Sequence, residues 1–295
     1  MVEPILSIII ANYNYGRFLE AAIKSVVEQE GFDQCELIVV DGGSTDNSVG
    51  VIKKYANGLP PNTPLTTNNQ PLTTKISWWC SEKDKGQSDA FNKGFAHARG
   101  RLGCWVNADD LLLPGTIKAV IDYVKLHPGV EWITGGTIYF DEHLKIWRAR
   151  IGTGITKRMH KWVDATVIGG PSSFFSIERL RRVGGFDIKL HYTMDGDLWN
   201  KFFASGMKMV HLPMYFWGFR SHSASKTSHA FHDVQSAAFH NEHKMAYKRV
   251  KYSAFGERVR IWRLRFHKIL SGCVFRSYLD TRRYFGKNIH AEFWR

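Results

Sequence analysis

No uninterrupted apolar stretch in this chain reaches the roughly 18 residues that a membrane-spanning helix needs, and no internal repeat is present. The amino terminus lacks a basic segment followed by an apolar run and a small-residue cleavage site, so export by a signal peptide is not expected. Cysteine is scarce: Cys35, Cys80, Cys104 and Cys273 are scattered, show no paired metal spacing, and read as free thiols in a reducing compartment. Acids are also short, 27 against 40 Lys plus Arg, for a formal net charge of +13. The expectation is a cytoplasmic protein, soluble or peripheral on the inner face of the cell membrane.

The excess of positive charge gathers past Lys244, in Lys248, Arg249, Lys251, Arg258, Arg260, Arg263, Arg265, Arg276, Arg282 and Arg283. Aromatic residues are interleaved: Phe255, Trp262, Phe266, Phe275, Tyr278, Tyr284, Phe285, Phe293 and Trp294. No recognised nucleic-acid motif accompanies them, so nucleic acid is not an expected partner. A basic, aromatic surface suits an anionic membrane leaflet better, and a plain solvated helical face is the bland alternative.

What is present is core-forming: 44% of residues are hydrophobic. Ile5 to Ala11 and Glu36 to Val40 are continuous, largely β-branched runs, the pattern of strands covered on both faces. Phe18, Leu19, Ala22, Ile23, Val26 and Val27 recur at helical spacing, and a second helix opens near Val49. Residues 57–74 are rich in Pro, Asn and Thr and read as a loop insertion. A third strand is expected at Lys75 to Trp79, a helix from Gly86 to Ala98, and a fourth strand at Arg101 to Val106. Strands alternating with helices of this length indicate βαβ units, hence an α/β fold with a mostly parallel sheet. Beyond residue 130, shorter strands at Trp132 to Phe140, Lys145 to Ile151 and Phe174-Phe175 suit a mixed sheet. An extended segment, Val210 to Arg220, is interrupted at Pro213, and helices follow from about His229.

Acids cluster where apolar strands end. Asp41 closes the second strand, and Asn107-Ala108-Asp109-Asp110 follows Leu102 to Val106. Ligands of open α/β sheets bind at the carboxyl ends of strands. Adjacent carboxylates repel unless a cation sits between them, and Mg²⁺ or Mn²⁺ held by oxygen ligands is the usual answer. Asp195 and Asp197 open a helix on a separate element.

Taken with Ser7 to Asn14, Val40 to Asp46 and Asp84 to Gly94, these motifs resemble the inverting family 2 glycosyltransferases of bacterial surface-polysaccharide assembly, over roughly residues 4–227. The resemblance implies a GT-A type αβα sandwich at residues 1–228, with a nucleotide-binding half (about 1–112) and an acceptor half (about 113–228). A basic helical extension would follow at 229–295. It implies a nucleotide-diphosphate sugar donor, UDP before GDP or dTDP, and a saccharide or lipid-linked saccharide acceptor. Ala11, Asn12 and Tyr13 fall on the positions that hold the base, and Asp41 on the acid that bonds uracil or ribose. Lys85, Gly86 and Gln87 fall on the loop over the nucleotide. Asn107-Ala108-Asp109 occupies the place of the Asp-x-Asp motif, with Asn107 replacing its first acid and Asp109 as the metal ligand. Asp110 is expected to support that ligand or cap a helix. Arg220 and Lys226 would grip the diphosphate, with His222 as a further metal contact, and Asp195 aligns with the base that deprotonates the acceptor. Gly169 to Phe175 resembles the segment between donor and acceptor sites.

Three rivals were weighed. A sugar-nucleotide pyrophosphorylase would want a Gly-rich basic loop after the first strand, where Asn12-Tyr13-Asn14-Tyr15 stands instead. A non-catalytic sugar-nucleotide-binding or scaffold protein would not need both Asp109 and Asp195. A nucleic-acid binder would ignore nucleotide sugars and weaken steeply with salt.

Overall fold

The computed structural model describes residues 3–56, 75–160, 168–225, 242 and 254–294. The 57–74 insertion, Trp162, Lys226, Lys248, Arg249 and Lys251 lie outside the described residues.

β1 (Leu6–Asn12) pairs in parallel with β2 (Cys35–Asp41) on one side and β4 (Leu102–Asn107) on the other, and β2 pairs in parallel with β3 (Trp78–Ser81). Their unbroken apolar runs are explained by two covered faces. Ile8, Ile10, Leu37, Val39, Cys104 and Val106 point toward α1 (Gly16–Val27), α2 (Ser48–Ala56) and α4 (Thr116–Leu126). Ile9, Ile38, Val40 and Trp105 point the other way, toward α3 (Gln87–His97), α6 (Ile177–Arg182) and α7 (Met194–Ala204). The result is an αβα sandwich in which β1, β2 and β4 end side by side, at Asn12, Asp41 and Asn107.

Beyond β4 the sheet becomes mixed, as the shorter runs suggested. β8 (Ser173–Ser176) lies antiparallel between β4 and β6 (Trp132–Asp141). β7 (Ile146–Arg150) pairs antiparallel with β6, and β9 (Val210–Ser221) runs parallel to it. β5 (Leu111–Leu112), which periodicity does not announce, pairs antiparallel with β9. Pro213 does not interrupt β9: the register shifts between Thr134 and Gly136, which face His211 and Tyr215, and this bulge absorbs the missing N–H. β3 begins later than expected because Lys75 and Ile76 bond instead to the Tyr55 carbonyl at the end of α2.

After the short α5 (Lys157–His160), α6 and α7, the chain ends in α8 (Ala254–Leu270), α9 (Cys273–Tyr284) and α10 (Ile289–Phe293). α9 and α10 close a third core with β6, β7 and β9, burying Ile138, Phe140, Ile146, Ala149, Cys273 and Ile289. Tyr284, Phe293 and Trp294 pack against this core, so they are not part of an exposed aromatic surface. No helix among the described residues is long and apolar enough to cross a membrane.

The approach of α3 to the sheet depends on Gly94, where an added Cβ would lie 2.6 Å from Ile9 Cγ2. Overpacking of this kind costs about 1–3 kcal/mol, and valine recovers little of it because its helix propensity is close to glycine's. Gly94→Val should therefore lower the unfolding free energy by about 1–3 kcal/mol, read as a lower urea midpoint at unchanged m-value. An unshifted midpoint would show that α3 is not clamped here.

Candidate functional site

A cleft of about 750 Å³ opens at the carboxyl ends of β1, β2 and β4. That volume falls within the range that holds small-molecule ligands. Eight of the residues that the sequence singled out line it: Ala11, Asn12, Tyr13, Gly86, Gln87, Asn107, Ala108 and Asp109. Tyr13 is 59% exposed and presents a flat ring at the mouth.

One wall is built by hydrogen bonds between loops. Asn14 adopts a left-handed conformation (φ 56°), donates its N–H to Ser44 Oγ at 2.8 Å and accepts the Thr45 N–H at 2.8 Å. Asp41 does not line the cleft and is wholly buried. Its Oδ1 accepts from Asn12 Nδ2 (2.7 Å) and Ser44 Oγ (2.5 Å), and its Oδ2 from Ser81 Oγ (2.6 Å) and the Ser44 N–H (2.9 Å). These donors outweigh burial and hold the carboxyl below its ordinary pKa. Asp41 thus reaches the cleft only through Asn12, which lines it.

The opposite wall comes from the loop before α3. Gly42 must be glycine here, because an added Cβ would lie 2.7 Å from Asp84 Oδ2. Asp84 in turn accepts the Gly86 N–H at 2.8 Å. Lys85 is exposed and does not line the cleft; the cation that does is Lys83. Strict alternation would put Lys83 and Lys85, two residues apart, on the same side, so only the path of this loop separates them.

The acidic group sits on the floor. Asp110 is buried, its Oδ1 accepting the Arg220 N–H (2.9 Å) and its Oδ2 accepting Asn107 Nδ2 (2.8 Å). Burial, then the charge of Asp109, raises its pKa well above the carboxylate range, opposed by Arg220, Asn107 and Trp217. It supports its neighbours and caps no helix: Gly115 precedes α4. Asn107 is equally committed, since its Oδ1 accepts from Gln87 Nε2 at 2.9 Å.

Arg220 does not reach the cleft. Its guanidinium lies between the rings of Phe18 (4.8 Å) and Phe140 (4.7 Å), and its Nε donates to the Asp109 carbonyl at 2.8 Å. The guanidinium thus bonds the protein's own backbone beside the two acids, and Arg220 is not among the residues that line the cleft. His222 Nε2 lies 3.0 Å from Asp109 Oδ2, its ring edge-on to Tyr15 at 5.6 Å. Tyr15, whose hydroxyl donates to the Ala224 carbonyl at 2.9 Å, lines the cleft, and burial with both acids lifts its pKa to about 12.

Asp109 and His222 offer oxygen and imidazole ligands side by side, and His222 Nδ1 is buried without a hydrogen-bond partner. Such a pair fits Mn²⁺ or Mg²⁺. Among the described residues no group of three or more His, Cys, Asp or Glu is placed to hold a metal alone, so a ligand and water would complete the shell.

Asp195 lies elsewhere. It sits in the first turn of α7, behind Thr193 as N-cap, with Oδ1 accepting the Gly196 N–H at 2.7 Å. It lines a separate cavity of about 170 Å³ with Gly169, Gly170, Arg150 and Trp217. Trp217, which lines this cavity, also acts on Asp110, which lines the first cleft, while no described residue lines both. Asp197 pairs with Lys201 at 2.8 Å, an orienting role along α7.

Sequence reasoning missed Tyr15, Lys83, His191 and Phe219 in the cleft lining. Tyr15, Lys83 and Phe219 carried a signal, since each lies within two residues of a motif position; His191 carried none.

An uncharacterized glycosyltransferase of Nostoc sp. is 37% identical over 118 residues, 40% of this chain and 32% of its own length. Among solved structures, S. aureus TarS 1–349 in complex with UDP-GlcNAc superposes with a TM-score of 0.56 at 15% identity, covering 76% of this chain and 60% of that one. The mannosyltransferase PcManGT from Pyrobaculum calidifontis, in complex with GDP-Man and Mn²⁺, gives 0.58 at 17% identity, covering 88% and 69%. The chain spans about one third to two thirds of the length of the curated relatives that it matches first. The glycosyl transferase family 2 model matches residues 7–180. With a GT-A type fold and that match over more than half its length, the chain belongs to glycosyl transferase family 2.

Proposed function

We propose that the chain is an inverting glycosyltransferase that moves a sugar from a UDP-linked donor to a hydroxyl of a saccharide or lipid-linked saccharide. The observation that carries this reading is the group at the strand ends, where Asp109 lines the cleft with His222 Nε2 3.0 Å from its carboxylate, together with a separate cavity that contains Asp195. Tyr13 stacks on the base, while Asn12, fixed by Asp41, bonds its edge or the ribose. Lys83 replaces Lys85 as the counter-charge over the diphosphate, and Lys226 stays with it as a further contact. Asp109 and His222 would hold Mg²⁺ or Mn²⁺, which when bound supplies charge neutralisation for the departing diphosphate. Gly169 and Gly170 leave room for an acceptor, and Asp195 takes the proton of its hydroxyl. One base and one displacement give inversion. UDP-GlcNAc in TarS and GDP-Man in PcManGT both support a nucleotide-sugar donor, and the nucleotide is to be decided by experiment.

The unit at 1–228 is proposed as the transferase proper, with 229–295 as its membrane-facing part. Ile261, Trp262, Phe266, Ile269 and Leu270 of α8, with Val274, Phe275 and Leu279 of α9, remain exposed beside basic residues. An exposed apolar patch of this kind, flanked by Arg258, Arg263, Arg265 and Arg282, fits the inner leaflet of the cell membrane.

Thermal-shift measurements with UDP, GDP and dTDP, each with and without Mn²⁺, test the donor site. UDP should stabilise the protein only with metal, and Asp109→Asn should abolish the shift. No response to any nucleotide would sink the reading. Asp195→Asn should reduce UDP release from UDP-sugar, assayed with a native membrane fraction, by about 10²–10⁴-fold while leaving the UDP–Mn²⁺ shift intact. Equal turnover would remove Asp195 as base. Trp262→Glu with Phe266→Glu should release the protein from phosphatidylglycerol vesicles without changing the nucleotide shift; undiminished sedimentation with vesicles would refute membrane contact.

A further inference from the structure

Glu242 lies beyond the 1–228 unit in sequence, yet its side chain is buried against the backbone that leads into α7. Oε1 and Oε2 both accept the His191 N–H at 3.0 Å, and Oε2 also accepts the Tyr192 N–H at 2.7 Å. These two N–H groups come before Thr193, the N-cap of α7, so no carbonyl of that helix can take them. Hydrogen bonds to a carboxylate are stronger and more directional than those between neutral groups, and here one side chain orients two successive peptides.

The residue held in this way opens onto the cleft at the strand ends. His191 is exposed and lines that cleft. Its ring stands beside Gly86, ahead of α3: a Cβ added to Gly86 would lie 3.4 Å from His191 Nδ1 and 3.5 Å from Cε1. Lys83, assigned above to the diphosphate, lines the same space. An imidazole keeps at least one N–H donor in either tautomer, so it can bond a phosphate oxygen without a change of charge. The preceding residue is fixed separately, since Ser88 Oγ of α3 donates to the Leu190 carbonyl at 2.9 Å. Leu190 is thus tied to α3, and the next two residues to Glu242.

We propose that Glu242 is a positioning residue for the donor. By holding the His191 and Tyr192 N–H groups it keeps the His191 ring beside the Gly86 loop, where the imidazole donates a hydrogen bond to the diphosphate. The proposal rests on the reading of this cleft as the nucleotide-sugar site. Glu242 does not line the cleft and acts only through His191. A carboxylate that merely steadied the chain ahead of α7 would affect ligands with one phosphate and with two alike.

The test is calorimetric titration of the full chain with UDP and UMP, and in parallel with GDP and GMP, all with Mn²⁺. Wild type is compared with His191→Ala, Glu242→Gln, Glu242→Asp and the double variant of His191→Ala with Glu242→Gln. Glutamine keeps the shape of the side chain but sets an amide N–H₂ group against the two backbone N–H groups. For whichever base binds, His191→Ala and Glu242→Gln should each weaken the diphosphate about tenfold and leave the monophosphate unchanged. Glu242→Asp, which keeps the carboxylate one methylene back, should lose less. The double variant should lose no more than His191→Ala alone, because one residue acts through the other. Retained monophosphate binding certifies folding. Equal diphosphate affinity in wild type and Glu242→Gln would overturn the proposal. So would equal weakening of diphosphate and monophosphate, a general loosening of the cleft, or additive losses in the double variant, which would separate Glu242 from His191. A wild type that binds no nucleotide would refute the donor reading itself, whereas a wild type that binds one and is indifferent to Glu242→Gln would refute only the role of Glu242.

Discussion

Everything around the cleft depends on the burial of one carboxylate. Asp110 follows β4 by three residues, at the point where a strand that has run through the core reaches its end. A charged carboxylate is costly there unless donors meet it, and those donors come from far along the chain: the N–H of Arg220 and the amide of Asn107. The pairing of Leu111 and Leu112 with Trp217 and Gly218 brings β9 into place beside it. Asp110 thereby ties the parallel, nucleotide-side half of the sheet to the mixed half, and the direction of Asp109 is fixed by that tie.

The same knot changes the electrostatics expected from the sequence alone. Two adjacent acids call for a cation, and the fold already supplies one in the guanidinium of Arg220, held between Phe18 and Phe140. A metal held by Asp109 and His222, as proposed, would therefore add to a positive charge that the fold already places beside these acids. Lys83 is the lysine among the described residues that line the cleft, so an anionic ligand there would still meet the Asp109 carboxylate with little charge opposing it.

The parts of this arrangement that were legible in the sequence are those set by local pattern. The unbroken runs Ile5 to Ala11 and Leu37 to Val40 need two covered faces and have them. The acids Asp109 and Asp195 lie where a strand ends and where a helix begins, as their neighbours imply. The unreadable parts depend on chain crossings. Arg220 looks like a ligand-gripping cation until β9 is known to run beside β6, which sets Phe140 against it. Lys83 and Lys85 are equivalent until the path of their loop is fixed. Asp41 was placed correctly at its strand end, but four donors from three other residues occupy it. Tyr284, Phe293 and Trp294 share composition with Trp262 and Phe266, yet pack on the third core, because α10 is pinned to β7 by the bond from the Ile146 N–H to Lys287.

That last difference bears on how the carboxyl-terminal helices work. If α9 and α10 were a loose basic tail, their attraction to a membrane would be independent of the site. They are instead part of the wall of β7, and β7 carries Arg150 to the edge of the Asp195 cavity. A surface that seats on a leaflet through Trp262 and Phe266 would then hold the Asp195 cavity at a fixed orientation to that leaflet. Under the proposed function the nucleotide sugar would enter at the ends of β1, β2 and β4 and an acceptor would reach Asp195 from its own cavity, since no described residue lines both spaces.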